Sequence, residues 1–249
     1  MDLNKIYLNL IQNIMKRIVL ISVVFSSLTI MMSCSKVENV KYSCDEDVNQ
    51  FVIDNKEELC DLSREELIVY REDIQKAAFR AMPVKSRLEL WQDKFNALEM
   101  LNWSISEKQF ILDVERCLTQ KMFDELTLSD ELYRESLDAQ FNIWINYCLS
   151  DLNWSVGKVY SLLGTLEIQV DGNNVLIESF TSNNSSDMKS SEQGTCKCST
   201  TSDWCNSGGG GEFIGHCGKT TPCIKGSIGC GTLWTYSCDG MCELGPQND

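Results

Sequence analysis

Eight of the chain's cysteines fall within 47 residues: Cys196, Cys198, Cys205, Cys217, Cys223, Cys230, Cys238 and Cys242. That stretch is dense in glycine and shows no apolar periodicity. So short a segment cannot bury enough surface to hold a fold by itself, so cross-links must supply the stability. Disulfides and structural zinc both serve. Structural zinc sites present Cys-x₂₋₄-Cys knuckles in pairs, whereas this cluster has one Cys-x-Cys, one Cys-x₃-Cys and no Cys-x₂-Cys. The spacing favours disulfides and no metal, in an oxidising compartment. Connectivity stays open, except that Cys196 and Cys198 stand too close together to pair without strain.

The N-terminus supplies the compartment. Lys16-Arg17 precedes the apolar run from Ile18 to Met32 and then Ser33-Cys34, which predicts a secretory signal over residues 1–33. The run falls short of the ~20 apolar residues of a spanning helix. The true start is open between Met1 and Met15, since the basic pair directly follows Met15. Cys34, behind the small Ser33, resembles the modified cysteine of a bacterial lipoprotein, although Met31 stands where that motif usually has leucine. Lipid on Cys34 leaves twelve of the thirteen cysteines. The expected location is therefore the cell envelope, with secretion after processing as the alternative.

Residues 34–163 read as a helical domain. Ser63 and Glu66 form a capping box before Leu67, Tyr70, Ile74, Ala77 and Ala81 on one face, and Pro83 ends that helix and opens the next. Leu88, Trp91, Phe95 and Leu98 follow at helical steps. Ser104 and Glu107 make a second box before Phe110, Ile111, Val114 and Cys117. Asp130 starts a run through Tyr133, Leu137, Phe141, Trp144 and Cys148. Short connections make an antiparallel bundle the economical arrangement. Residues 101–104 and 152–155 both read Leu-Asn-Trp-Ser. In each, the serine can cap a helix while the tryptophan packs as a staple. Residues 164–180 alternate around Asp171-Gly172-Asn173-Asn174 and predict a β-hairpin. The expected bridges in the body are Cys44–Cys60 and Cys117–Cys148, the alternative being buried thiols.

Residues 181–195 are rich in Ser and Asn and predict a flexible linker. The disulfide-rich module 196–242 and a tail 243–249 follow. Trp204, Phe213, Trp234 and Tyr236 are its main apolar groups. In a module this small some must stay exposed, which suits contact with a membrane interface, a sugar or a protein. The net charge of −14 argues against nucleic acid as a partner. His216 is the single histidine, so most Ser-His-Asp and Cys-His arrangements are unavailable. Gly218-Lys219-Thr220 lacks the first glycine and the strand-to-helix setting of a phosphate loop. No enzyme and no cofactor are expected.

Two blocks carry a resemblance: Cys196-Lys197-Cys198-Ser199-Thr200-Thr201-Ser202-Asp203-Trp204-Cys205, and Gly229-Cys230-Gly231-Thr232-Leu233-Trp234-Thr235-Tyr236 with Cys238. With the ordered cysteines, they make the C-terminus similar to the fulvocin C-related bacteriocin family. Phe79-Arg80-Ala81-Met82 and Leu90-Trp91-Gln92 in the body resemble larger exported members. The resemblance implies an antibacterial or antagonistic role, and disulfides among the eight cysteines. The chain departs from the family in its long acidic body and its anchor. Its module is not cationic, with three lysines against three acids over 196–242.

The expectation is a mainly α protein: an antiparallel helical bundle with a short β-hairpin, followed by a small disulfide-rich irregular module. In function it is an exported helical carrier with a stapled, antibacterial-peptide-like C-terminus that meets a target-cell receptor. The alternative is a non-toxic envelope lipoprotein whose tip binds a protein or glycan.

Overall fold

A computed structural model describes residues 41–178, 198–205, 215–219 and 228–244. The expected signal segment, Cys34, the expected linker, Cys196, Phe213, Cys223 and the residues beyond 244 lie outside the described residues. The described residues belong to one compact unit, mainly helical, with one two-stranded antiparallel sheet among them.

Capping chemistry sets most helix starts. Asp45 caps α1 (Glu46–Asp54), which is followed by the short α2 (Lys56–Cys60). Ser63 and Glu66 form the expected capping box on α3 (Arg64–Leu67). The helix does not run on to Pro83, however. It stops, and a second helix, α4 (Glu72–Ala81), starts after an extended Arg71. The buried Gln75 makes the break tolerable, because its Nε2 donates to the carbonyls of Ile68 and Tyr70 at 3.4 and 2.7 Å. Pro83 then opens α5 (Val84–Leu98), as its fixed φ and missing N–H suit.

The second capping box, Ser104 with Glu107, starts α6 (Ile105–Cys117). A 3₁₀ turn (Gln120–Phe123) and α7 (Glu125–Leu128) lead to α8 (Glu131–Asn146), capped by Asp130. Helix α8 ends in a π turn over Tyr147–Asp151 that keeps Cys148 buried. Ser155 caps α9 (Val156–Leu163).

The two Leu-Asn-Trp-Ser echoes meet in space. Trp103 and Trp154 stack with ring centroids 5.7 Å apart. The third residue after each capping serine, Glu107 in one copy and Lys158 in the other, forms an ion pair of 3.0 Å. Lys158 also sits 4.4 Å from the Trp154 ring centroid. Each copy supplies a cap and half of an aromatic clasp.

The expected hairpin contracts to a single bridge, Val170 to Leu176, around the 171–174 turn. The true sheet lies in the cysteine-rich region, where β1 (Gly215–Lys219) pairs with β2 (Gly240–Leu244) and sets Cys217 opposite Cys242.

The core is shared. Val52, Leu67, Phe79, Trp91, Phe95, Ile111, Phe123 and Phe141 pack in one cluster with Trp204, Ile228, Leu233, Trp234 and Tyr236. The expectation of a separate, aromatic-exposing tip is thereby corrected.

Candidate functional site

The cysteine-rich block enters the body through residues 228–236. Cys230 and Cys238 are joined by a disulfide, and the Cys230 and Tyr236 backbones exchange two hydrogen bonds of 2.9 Å each. The tight loop between them forces Leu233 and Trp234 to φ of 51° and 56°, a left-handed conformation costly for such side chains. Burial offsets that cost, since both residues are fully buried.

Trp234 stands edge-on to Phe79 and Trp91, with ring centroids at 5.3 and 6.0 Å. Its Nε1 donates to the Gly164 carbonyl at 2.9 Å, just past the end of α9. Lys94 occupies the same helix terminus, with Nζ donating to the carbonyls of Ser161 at 2.7 Å, Leu162 at 2.8 Å and Thr165. Tryptophan and lysine together satisfy carbonyls that a helix end leaves without partners. Burial, with Arg64 nearby, depresses the pKa of Lys94 well below the usual lysine value. Three carbonyl acceptors nonetheless match the three donors of an ammonium.

Arg80 locks the block from α4. Nε donates to the Ile228 carbonyl at 2.6 Å, Nη1 to the Tyr42 carbonyl at 2.5 Å, and Nη2 to Cys238 Sγ at 2.5 Å. One guanidinium thus ties the start of the described chain to its C-terminal loop. Gly229, at φ 124°, is required there, because a Cβ would lie 2.7 Å from Arg80 Nε. Farther along the loop, Tyr236 donates to Asp138 at 2.6 Å, under the Arg134 guanidinium at 4.6 Å from the ring centroid. Arg134 also donates to the Thr235 carbonyl at 2.8 Å. Burial, followed by the Asp138 carboxylate, raises the Tyr236 pKa. Trp204 packs on Tyr160 with centroids 5.8 Å apart.

Three of the four sequence-predicted binding aromatics therefore stand inside the protein, while Phe213 lies outside the described residues. Trp234 is 0% exposed, Tyr236 6% and Trp204 8%, so none of the three presents a contact surface. The reason is that the helical body offers a socket, lined by Phe79, Trp91 and Gly164, that a free-standing module would lack. Phe79 and Arg80 were visible only as parts of the body blocks quoted above, and Trp91 there and on the apolar face of its helix. Nothing in the sequence paired them with the tail.

Further disulfides join Cys198 to Cys217 and Cys205 to Cys242. Cys44 is disulfide-bonded as well, to none of the described cysteines. The expected Cys44–Cys60 and Cys117–Cys148 bridges do not form, and Cys60, Cys117 and Cys148 are free thiols. Cys60 Sγ donates to the Ala81 carbonyl at 3.3 Å, packing α2 against α4. Cys117 is exposed because α6 ends there and Leu118 takes the buried position. Cys148 is fully buried in the π turn, and burial pushes its pKa up to about 12.

His216 lies on β1 beside Cys217, whose sulfur is held in its disulfide and offers no thiolate to activate. Among the described residues the Sγ atoms of Cys198, Cys205 and Cys242 lie within 4.8 Å of one another, as do those of Cys205 and Cys217 with an Asp203 carboxylate oxygen, but each of these sulfurs is held in a disulfide. Among the described residues no helix is long and apolar enough to cross a membrane. No family model, curated protein or solved structure matches the chain.

Proposed function

We propose that this chain is an exported, bacteriocin-like protein of the fulvocin C-related kind, in which helical body and cysteine-rich block act as one folded unit. Lipid on Cys34 holds it at the cell envelope. The disulfides fit an oxidising environment, and the antagonistic role rests on the resemblance of the two C-terminal blocks.

The observation that favours an intact effector over a carrier with a releasable peptide is Trp234. It is fully buried between Phe79 and Trp91 and completes the end of α9. A peptide freed at residues 181–195 would have to withdraw its own largest apolar side chain from the body's core. The intact reading needs no such step.

The same burial leaves a second reading open, that of a non-toxic envelope lipoprotein which binds a protein or glycan. Growth inhibition of a broad bacterial panel separates the readings. Three samples are compared: the oxidised chain from residue 34 onward, the same chain cut in the linker, and the segment 195–249 alone. Inhibition by the intact chain supports the proposal. Inhibition by the isolated segment alone restores the releasable peptide, and inhibition by none of the three favours the envelope-binding reading.

A further inference from the structure

Helix α8 carries apolar residues on both faces. Its inner face buries Leu137, Phe141 and Trp144, and from the same side Arg134 and Asp138 reach Thr235 and Tyr236. On the outer face Leu132 and Ile143 stand 78% and 62% exposed. Eleven residues separate them, which brings both within ~20° of one line along the helix. Ser136 and Ala139 lie between them on that line, and both are exposed. Single exposed apolar residues are ordinary on a protein surface, whereas an aligned set marks a contact face.

Charge is absent from most of this face. From Ser136 to Asn146 the exposed residues of α8 are Ser136, Ala139, Asn142, Ile143 and Asn146. None is ionisable, in a chain of net charge −14, so a basic partner finds nothing here to pair with. The stripe also reads the same in both directions: large, small, small, large, at steps of four, three and four. A surface that meets its own copy across a twofold axis has to be self-complementary in this way. With the axis between Ser136 and Ala139, antiparallel helices set Leu132 against the partner's Ile143 and Ser136 against the partner's Ala139. The small residues let the helix axes approach to ~8 Å, the close end of the packing range. Glu135, beside the stripe, then faces the partner's Asn142 rather than a second carboxylate.

We propose that α8 packs on α8 of a second copy, antiparallel about a twofold axis, so that the chain works as a symmetric homodimer. Each α8 holds a cysteine-rich block on its inner face, so the pairing mounts two blocks on one scaffold. The helix has 16 residues and is about 24 Å long. One such helix pair buries less than the ~1,200 Å² of a standard interface. The dimer is therefore weak and concentration-dependent, and the acidic surface outside the stripe opposes it until salt screens the repulsion.

Sedimentation equilibrium tests the pairing on the oxidised chain from residue 34 onward, with Cys34→Ser and Cys117→Ser so that neither thiol links copies. Monomer and dimer should interconvert reversibly with concentration, with more dimer at higher salt. Ile143→Arg should weaken association at least tenfold and leave the helical circular dichroism signal unchanged, since its side chain stands largely in solvent. Val69→Arg, at a position 84% exposed outside α8, should leave association unchanged. In a chain carrying both Leu132→Cys and Ile143→Cys, air oxidation should join residue 132 of one copy to residue 143 of the other, as peptide mass spectrometry reads. The pairing is overturned by a monomer at every concentration and salt, or by a dimer that Ile143→Arg leaves intact. Links of 132 to 132 and 143 to 143, which parallel helices would give, overturn it as well.

Discussion

Trp234 is the largest fully buried side chain among the described residues of the cysteine-rich block. Its ring fills the space between Phe79 and Trp91, and its N–H satisfies a carbonyl at a helix end. Trp234→Ala should therefore lower stability by about 3–5 kcal/mol, the range for truncating a large buried aromatic. Trp234→Phe, which loses the hydrogen bond and part of the ring, should cost less. Urea denaturation of both variants checks the order. The thiols give a second prediction at this scale. Maleimide labelling of the native chain, read by peptide mass spectrometry, should modify Cys117 first and Cys60 more slowly. Cys148 should react only on unfolding, because burial denies access and keeps its thiol protonated.

At the scale of elements, two helix ends depend on side chains from elsewhere. Lys94→Met leaves three buried carbonyls at the end of α9 without a donor and should destabilise the chain by about 3 kcal/mol or more. Thermal melts report it. At the start of α6, burial alone would raise the Glu107 pKa. The Ser104 backbone and hydroxyl, Lys158 and Trp154 overcome it and hold the carboxyl down at about 2. An acid depressed on folding adds stability above its unfolded value of ~4.3, and that stability is lost as the pH falls toward about 2. Glu107→Gln should be about 1–2 kcal/mol less stable at pH 7. It should lose less on acidification over that window, as equilibrium unfolding at a series of pH values will show.

The helix starts at Ser63, Ser104, Asp130 and Ser155 were legible because capping is local chemistry. The break between α3 and α4 was not, because it depends on Gln75 folding back onto two carbonyls. The cysteine pairing was not legible either, since sulfurs meet by tertiary position. Cys117 and Cys148 share an apolar periodicity with their helices, yet one sits at a helix end and the other inside a π turn.

For the whole molecule, the composition shift at residue 195 suggested two modules joined by a tether, and the packing contradicts that separation. Composition records how a segment is stabilised, not what it packs against. Here the helical body provides a socket, Arg80 fastens the first described residues to the C-terminal loop, and the block closes the core. Any biological action that needs the block free must first disrupt that core.

Co-elution after cleavage tests this claim most directly. A specific protease site placed within residues 181–195 of a Cys44→Ser chain, in which no bridge from Cys44 can link the pieces, is cut under oxidising conditions. The product is then passed over a size-exclusion column. The two fragments should elute together at the position of the uncut chain, and separate only in denaturant. A C-terminal fragment that elutes alone, leaving a body that keeps its helical signal, would contradict the shared core.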